Sequence, residues 1–163
     1  MNSVQKGLVL AGVHLALVLS IGGKLLYDRA TLPRVWVRSA PIDPNLPIRG
    51  RYVSIGIEAS AMVVKNTTTE WTTVTLSVEN GQLAAHPAAP GTGQPAWLTT
   101  RQGSPVARLQ EPVAYFIPEH VPDPSRRAAG EELWVEVTVP KKGPPRPIRL
   151  GVKKAGTLTP LDL

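Results

Sequence analysis

The chain contains no cysteine. That excludes a disulfide, a zinc–thiolate centre and a cysteine nucleophile, and it leaves the compartment open. Charged side chains are also scarce, at 18% against 42% hydrophobic, a balance that argues against a disordered chain. Catalytic signatures are missing as well. Gly91-Thr92-Gly93 lacks the remaining glycine, and the helix, of a phosphate-cradling loop. The three histidines, His14, His86 and His120, show no metal-ligand spacing. Glu119-His120 is the one acid–histidine neighbour pair. Adjacent strand residues point to opposite faces, so the pair suits a surface charge better than acid–base work. Ser54, Ser77 and Ser104 have no lysine partner that spacing identifies. An envelope hydrolase would have to rest on Glu119 and His120. The expectation is a protein without catalytic residues, metal or cofactor. Neither an arginine-rich helix nor an aromatic platform interleaved with cations is present, so nucleic acid is not an expected partner.

What the chain does have begins with an apolar run. Residues 7–23 read GLVLAGVHLALVLSIGG with no charge, and Leu25, Leu26 and Tyr27 extend the run past Lys24. At about 1.5 Å per residue this reaches roughly 30 Å, the hydrocarbon thickness of a bilayer. Lys24 suits snorkelling to the interface and Tyr27 the aromatic belt. The competing reading is a cleaved secretory signal, with Lys6 as its positive region and Val18-Leu19-Ser20 as a poor cleavage site. Within the run, Gly12, Ala16, Ser20 and Gly23 recur every three or four residues. Together with His14 they are candidates for packing against a partner helix. His14 is either hydrogen-bonded to a carbonyl or neighbouring helix, or a ligand in a larger complex. Lys24, Arg29, Arg34 and Arg38 follow the run and only Lys6 precedes it. The positive-inside rule taken literally would keep the remainder in the cytoplasm, although long domains translocate with less regard to such charge.

Beyond the run, 17 prolines in 163 residues act against helix, because proline fixes φ and removes a backbone donor. Hydrophobic residues then alternate with period two. Strands are expected at residues 34–38, 52–59, 71–79, 82–86, 133–139 and 147–152. Their inward residues would be Val35, Val37, Val53, Ile55, Ile57, Ala59, Val74, Leu76, Val78, Leu133, Val135, Val137, Val139, Ile148, Leu150 and Val152. Asn80-Gly81 signals a type I′ hairpin. Turn-rich segments fall at 41–47, 87–95, 118–124 and 141–147. Residues 87–95, with nothing to bury, and 122–130 are expected to be mobile loops. The fold expected is mainly β: one transmembrane helix, with flanks at residues 1–29, followed by an antiparallel β-sandwich or small open barrel over 30–163.

The net charge is +6, which serves solubility or attraction to anionic lipid. Lys141, Lys142, Arg146, Arg149, Lys153 and Lys154 crowd one stretch. They form either a solvated face guarding an edge strand or a patch for lipid phosphates or an acidic partner. Asn66-Thr67-Thr68 matches a glycosylation sequon.

At residues 43–57, DPNLPIRGRYVSIGI, the chain resembles the bacterial GDYXXLXY family. Gly50 and Tyr52 match the motif, and Ile55 stands where leucine is usual. Arg51 replaces the aspartate and Ile57 the final tyrosine. Tyr115-Phe116-Ile117-Pro118-Glu119 resembles a second block of that family. The resemblance implies a small protein with one N-terminal membrane helix, no established activity, a polytopic membrane protein as companion, and a domain outside the cytoplasm. In physical terms Gly50 would provide a tight entry to the strand. Tyr52 would lay its ring on a sheet edge, one of Tyr115 and Phe116 would pack, and Glu119 would pair with Arg49 or Arg51.

These observations give two main functional expectations. The first is a non-catalytic accessory subunit docked on a larger membrane protein, with membrane lipid around its span. The second is a tethered module binding glycan, peptide or anionic lipid through Trp36, Trp71, Trp97 or Trp134 and the basic strand.

Overall fold

The structure, a computed structural model, describes residues 2–41, 52–62, 70–89 and 91–163. Gly50, with Arg49 and Arg51, the sequon at Asn66, and most of the 41–47 turn lie outside the described residues. The chain forms two compact units, Met1–Leu32 and Pro33–Leu163.

The first unit is one helix, α1 (Ser3–Thr31). Asn2 caps it: its side chain accepts the Gln5 N–H at 2.9 Å, and Gln5 accepts the Asn2 N–H at 3.1 Å. This reciprocal pair satisfies two otherwise orphaned donors. The helix stops because the residue before a proline is excluded from the α region. Leu32, ahead of Pro33, is accordingly extended at φ −70°, ψ 147°. The helix therefore outruns the expected boundary at residue 29 by two residues. It buries none of its residues and is long and apolar enough to cross a bilayer, as a secretory signal would also be.

The second unit is all β. Its strands are β1 (Arg34–Pro41), β2 (Tyr52–Ala61), β3 (Glu70–Glu79), β4 (Gln82–Pro87), β5 (Gln94–Arg101), β6 (Ser104–Leu109), β7 (Val113–Phe116), β8 (Glu131–Thr138), β9 (Arg146–Lys154) and β10 (Thr157–Pro160). Two sheets share β2. One is antiparallel throughout, in the order β7-β2-β1-β8-β9-β10. The other runs β2-β4-β3-β5-β6 and returns to β2, closing a five-stranded ring. Within the ring only β2–β4 is parallel, over the pairs Ser60↔Ala84 and Ala61↔Ala85.

The six expected strands are all present, five read from alternation and β4 from the Asn80-Gly81 turn. Val35, Val37, Val53, Ile55, Ile57, Ala59, Val74, Leu133, Val135, Val137, Val139 and Leu150 are buried in one core. Leu76 and Val78 pack half-buried against it. On β9 the inward role falls to Leu150, with Ile148 and Val152 only half-buried. For Ile148 a bulge is the reason: Glu136 pairs with Arg149 but Val137 pairs with Pro147, leaving Ile148 as the extra residue.

Both segments expected to be mobile hold hydrogen bonds among their described residues. Ala88 donates to the Thr73 carbonyl at 3.0 Å, Thr92 to that of Ala89 at 3.0 Å, and β5 already begins at Gln94. In the second segment Pro124 is fully buried, and the Asp123 carboxylate accepts the Ser125 N–H at 2.9 Å and its hydroxyl at 2.7 Å.

Asn80-Gly81 closes β3–β4 with both residues at positive φ, as a type I′ turn requires. Gln102-Gly103 and Ala155-Gly156 repeat that backbone. Ala155, at φ 47°, has a methyl group where the left-handed region disfavours one by about 1 kcal/mol. Asparagine tolerates that region and is the preferred first residue of this turn. Ala155→Asn is therefore expected to stabilise the β unit by about 0.5–1 kcal/mol, read as a raised midpoint in thermal or chemical denaturation of the full chain in detergent.

Candidate functional site

The outward face of β1, β8 and β9 carries a ladder of paired side chains. Pairing sets Trp36 beside Glu136, Glu136 beside Arg149, Arg38 beside Trp134 and Trp134 beside Gly151. The Arg149 Nε donates to Glu136 at 2.7 Å, and its guanidinium lies 5.3 Å from the centre of the Trp36 ring. The Lys153 ammonium lies 4.5 Å from the Trp134 ring. The Trp134 indole N–H donates to Glu132 at 3.2 Å, and Arg38 pairs with the same carboxylate at 2.8 Å. Glu136 is buried at 7% exposure, so Arg149 is the partner that offsets its desolvation. A Cβ on Gly151 would stand 2.8 Å from the Trp36 ring, so the glycine lets the indole lie flat on β9. Beside this ladder a groove of about 220 Å³ is lined by Trp36, Arg38, Glu58, Ser60, Arg101 and Trp134. Arg101 closes it with an ion pair to Glu58 at 2.7 Å.

This geometry divides the basic stretch. Arg149 is paired with Glu136, Lys153 sits over Trp134, and Lys154 donates to Glu131 at 3.2 Å. Lys141 and Lys142 are exposed on the hairpin before β9, and Arg146 opens that strand opposite Thr138. The six cations do not form one free positive face. The tryptophans divide too. Trp36 and Trp134 are half-buried beneath cations, whereas Trp71 and Trp97 are exposed and opposite one another on β3 and β5.

Of the residues that carry the resemblance, Tyr52 and Ile55 lie on β2, Tyr115 and Phe116 on β7, and Pro118 and Glu119 just beyond it. Ile55 is fully buried. Tyr52 and Phe116 are cross-strand partners with ring centres 6.2 Å apart. Tyr115 packs against the core while Phe116 stays 72% exposed. Pro118 and Glu119 are exposed in a turn that the Val121 N–H closes on the Pro118 carbonyl, with His120 in the same turn. On α1 the His14 Nδ1–H donates to the Leu10 carbonyl at 2.8 Å. Gly12, Ala16, Ser20 and Gly23 fall within an arc of about 80°, but His14 lies about 200° from Gly12, so the histidine does not share their face. The Ser20 hydroxyl is satisfied by Leu17 at 2.8 Å.

One cluster escaped the sequence reading. Ser77 donates to Glu79 at 2.8 Å, and His86 Nε2 lies 2.6 Å from the same carboxylate and 3.1 Å from the serine oxygen. The Asn80-Gly81 turn carried its signal, because a two-residue loop fixes Ser77 opposite Ala84 and Thr75 opposite His86. The arrangement does not make a nucleophile. A serine–histidine–acid relay uses both ring nitrogens in series, whereas here one nitrogen meets both partners and the serine proton points to the acid. Among the described residues no group of three or more His, Asp or Glu side chains gathers as a metal site.

Hydrogen bonds from Ser77 and then His86 hold the Glu79 carboxyl below its ordinary pKa. A carboxyl with a depressed folded-state pKa adds stability above its unfolded value and loses it as pH falls through the folded one. Ser77→Ala is expected to move the Glu79 titration upward, toward the ordinary carboxylate range. Carboxyl-carbon NMR across acid pH reads the shift, and an unchanged midpoint would remove the serine from the account.

Comparison of the chain with protein families, with curated proteins and with solved structures gives no match.

Proposed function

We propose that this protein is a non-catalytic, membrane-anchored accessory subunit. In this reading α1 stays attached, crosses the bilayer and docks on a larger membrane protein, and the β unit lies on the extracytoplasmic, periplasmic side. The observation that carries it is α1 itself, a helix of 29 residues long and apolar enough to cross a bilayer. Water would penalise that surface at roughly 25 cal/mol per Å², whereas lipid or a partner helix would cover it. The arc of Gly12, Ala16, Ser20 and Gly23 suits close helix contact. The resemblance to the GDYXXLXY family supports both the companion and the export.

Purification of the full chain in mild detergent is expected to bring down a polytopic membrane protein. Ala16→Leu with Ser20→Leu should abolish that association, while His14→Leu, off the small-residue arc, should keep it. A clean monomer, or capture indifferent to the arc, would overturn the docking. A C-terminal alkaline phosphatase fusion is expected to be active, and an inactive one would place the domain in the cytoplasm.

The Trp36–Arg149 and Trp134–Lys153 ladder favours a second reading, a tethered module binding an envelope glycan or peptide. Such a ligand should change tryptophan fluorescence. Gly151→Val, which removes the bed of the Trp36 ring, should abolish that change.

A further inference from the structure

We propose that the Lys141–Lys142 hairpin, with the cleft it forms against residues 91–94, binds the headgroup phosphates of anionic lipid in the leaflet from which α1 emerges. The inference rests on the anchor reading above and adds a ligand class and a site to it.

The hairpin lies beside the point where the chain enters the β unit. The Val139 N–H donates to the Pro33 carbonyl at 3.1 Å, and Lys141 is two residues beyond Val139, about 7 Å of extended chain. On the helix side the apolar run ends at Tyr27. Residues 28–32 add about 7 Å at helical rise, close to the thickness of one headgroup layer. The chain thus limits Lys141 to about 10 Å from Pro33, a reach comparable with the Debye length of roughly 8 Å. Attraction at that range is unscreened enough to matter.

The local chemistry fits an anion. The cleft, about 500 Å³, is lined by Thr75, Thr92, Gln94, Lys141 and Lys142 over an apolar floor that includes Leu76. Among the described residues no carboxylate lines it. The contrast with the opposite end of the hairpin strands is direct, since Lys154 there faces Glu131 and Arg38 faces Glu132. Two cations, two hydroxyls and an amide around a cavity of headgroup size would hold a phosphodiester. The apolar floor would accept its glycerol carbons.

The test uses the full chain in nanodiscs of phosphatidylcholine alone, of phosphatidylcholine with phosphatidylglycerol, and of phosphatidylcholine with added inorganic phosphate. Amide NMR shifts of residues 91–94 and 141–143 are expected to respond to phosphatidylglycerol and to fade at high salt. Lys141→Gln with Lys142→Gln should lower the lipid-contacting population about thirtyfold, and each single change about fivefold. Lys154→Gln, with the same loss of charge at the far end, should leave it unchanged. A response to inorganic phosphate equal to that for phosphatidylglycerol would show a soluble anion site and overturn the lipid assignment. Identical spectra with and without anionic lipid, or shifts that survive the double variant, would overturn the site itself. Failure of the chain to enter nanodiscs at all would sink the anchor reading, and with it this one.

Discussion

Strand β2 is the constraint on which the β unit depends, because both sheets are built on its two edges. Ile55 pairs with Pro41 on one side and Val113 on the other, and Ser60 pairs with Ala84 on one side and Val106 on the other. A slip of one residue would turn Val53, Ile55, Ile57, Ala59 and Ala61 out to water together, since side chains alternate with period two. Residue size along that inner row follows what each part must fill. Val53, Ile55 and Ile57 serve the broad six-stranded sheet. Ala59 and Ala61 serve the ring, together with Ala85, Ala96 and Ala107, all buried. Eight strands already leave a barrel interior only wide enough for side chains, so a five-stranded ring admits little beyond methyl groups at its waist.

The same size rule explains which strands alternation revealed. Strands β1, β2, β3 and β8 put Val, Ile and Leu inward and were legible. Strands β5 and β6 invert the usual contrast. In QPAWLTTR the inward residues are Ala96 and Leu98 while Trp97 points out, and in SPVARL Ala107 and Leu109 point in while Val106 points out. A hydropathy pattern reads the large exposed residue as core and loses the strand. In β4 Leu83, Ala84 and Ala85 are all buried, which removes the alternation altogether. Strand β10 is four residues long and too short to show a period.

The candidate site was legible as a list of residues but not as an arrangement. Six cations within fourteen positions look like one patch until the pairing of β8 with β9 sets Glu131, Glu132 and Glu136 opposite Lys154, Lys153 and Arg149. Spacing within β9 contains no trace of those acids, because register is a relation between two segments. The hairpin tip escapes this pairing, and for that reason Lys141 and Lys142 differ from the cations that follow them.

Neutralisation on the strand faces and surplus at the hairpin also fit the covalent layout. Pro33 ends α1 by excluding Leu32 from the helix, and its carbonyl then binds Val139. One residue thus sets where the helix stops and ties the end of β8 to the start of β1. Lysines on the next turn are held near that point without needing a structured linker. Cations gain little from anions once separation exceeds a Debye length. Pairing them with β8 carboxylates and tryptophan rings instead gives the exposed face of the sheet a fixed geometry.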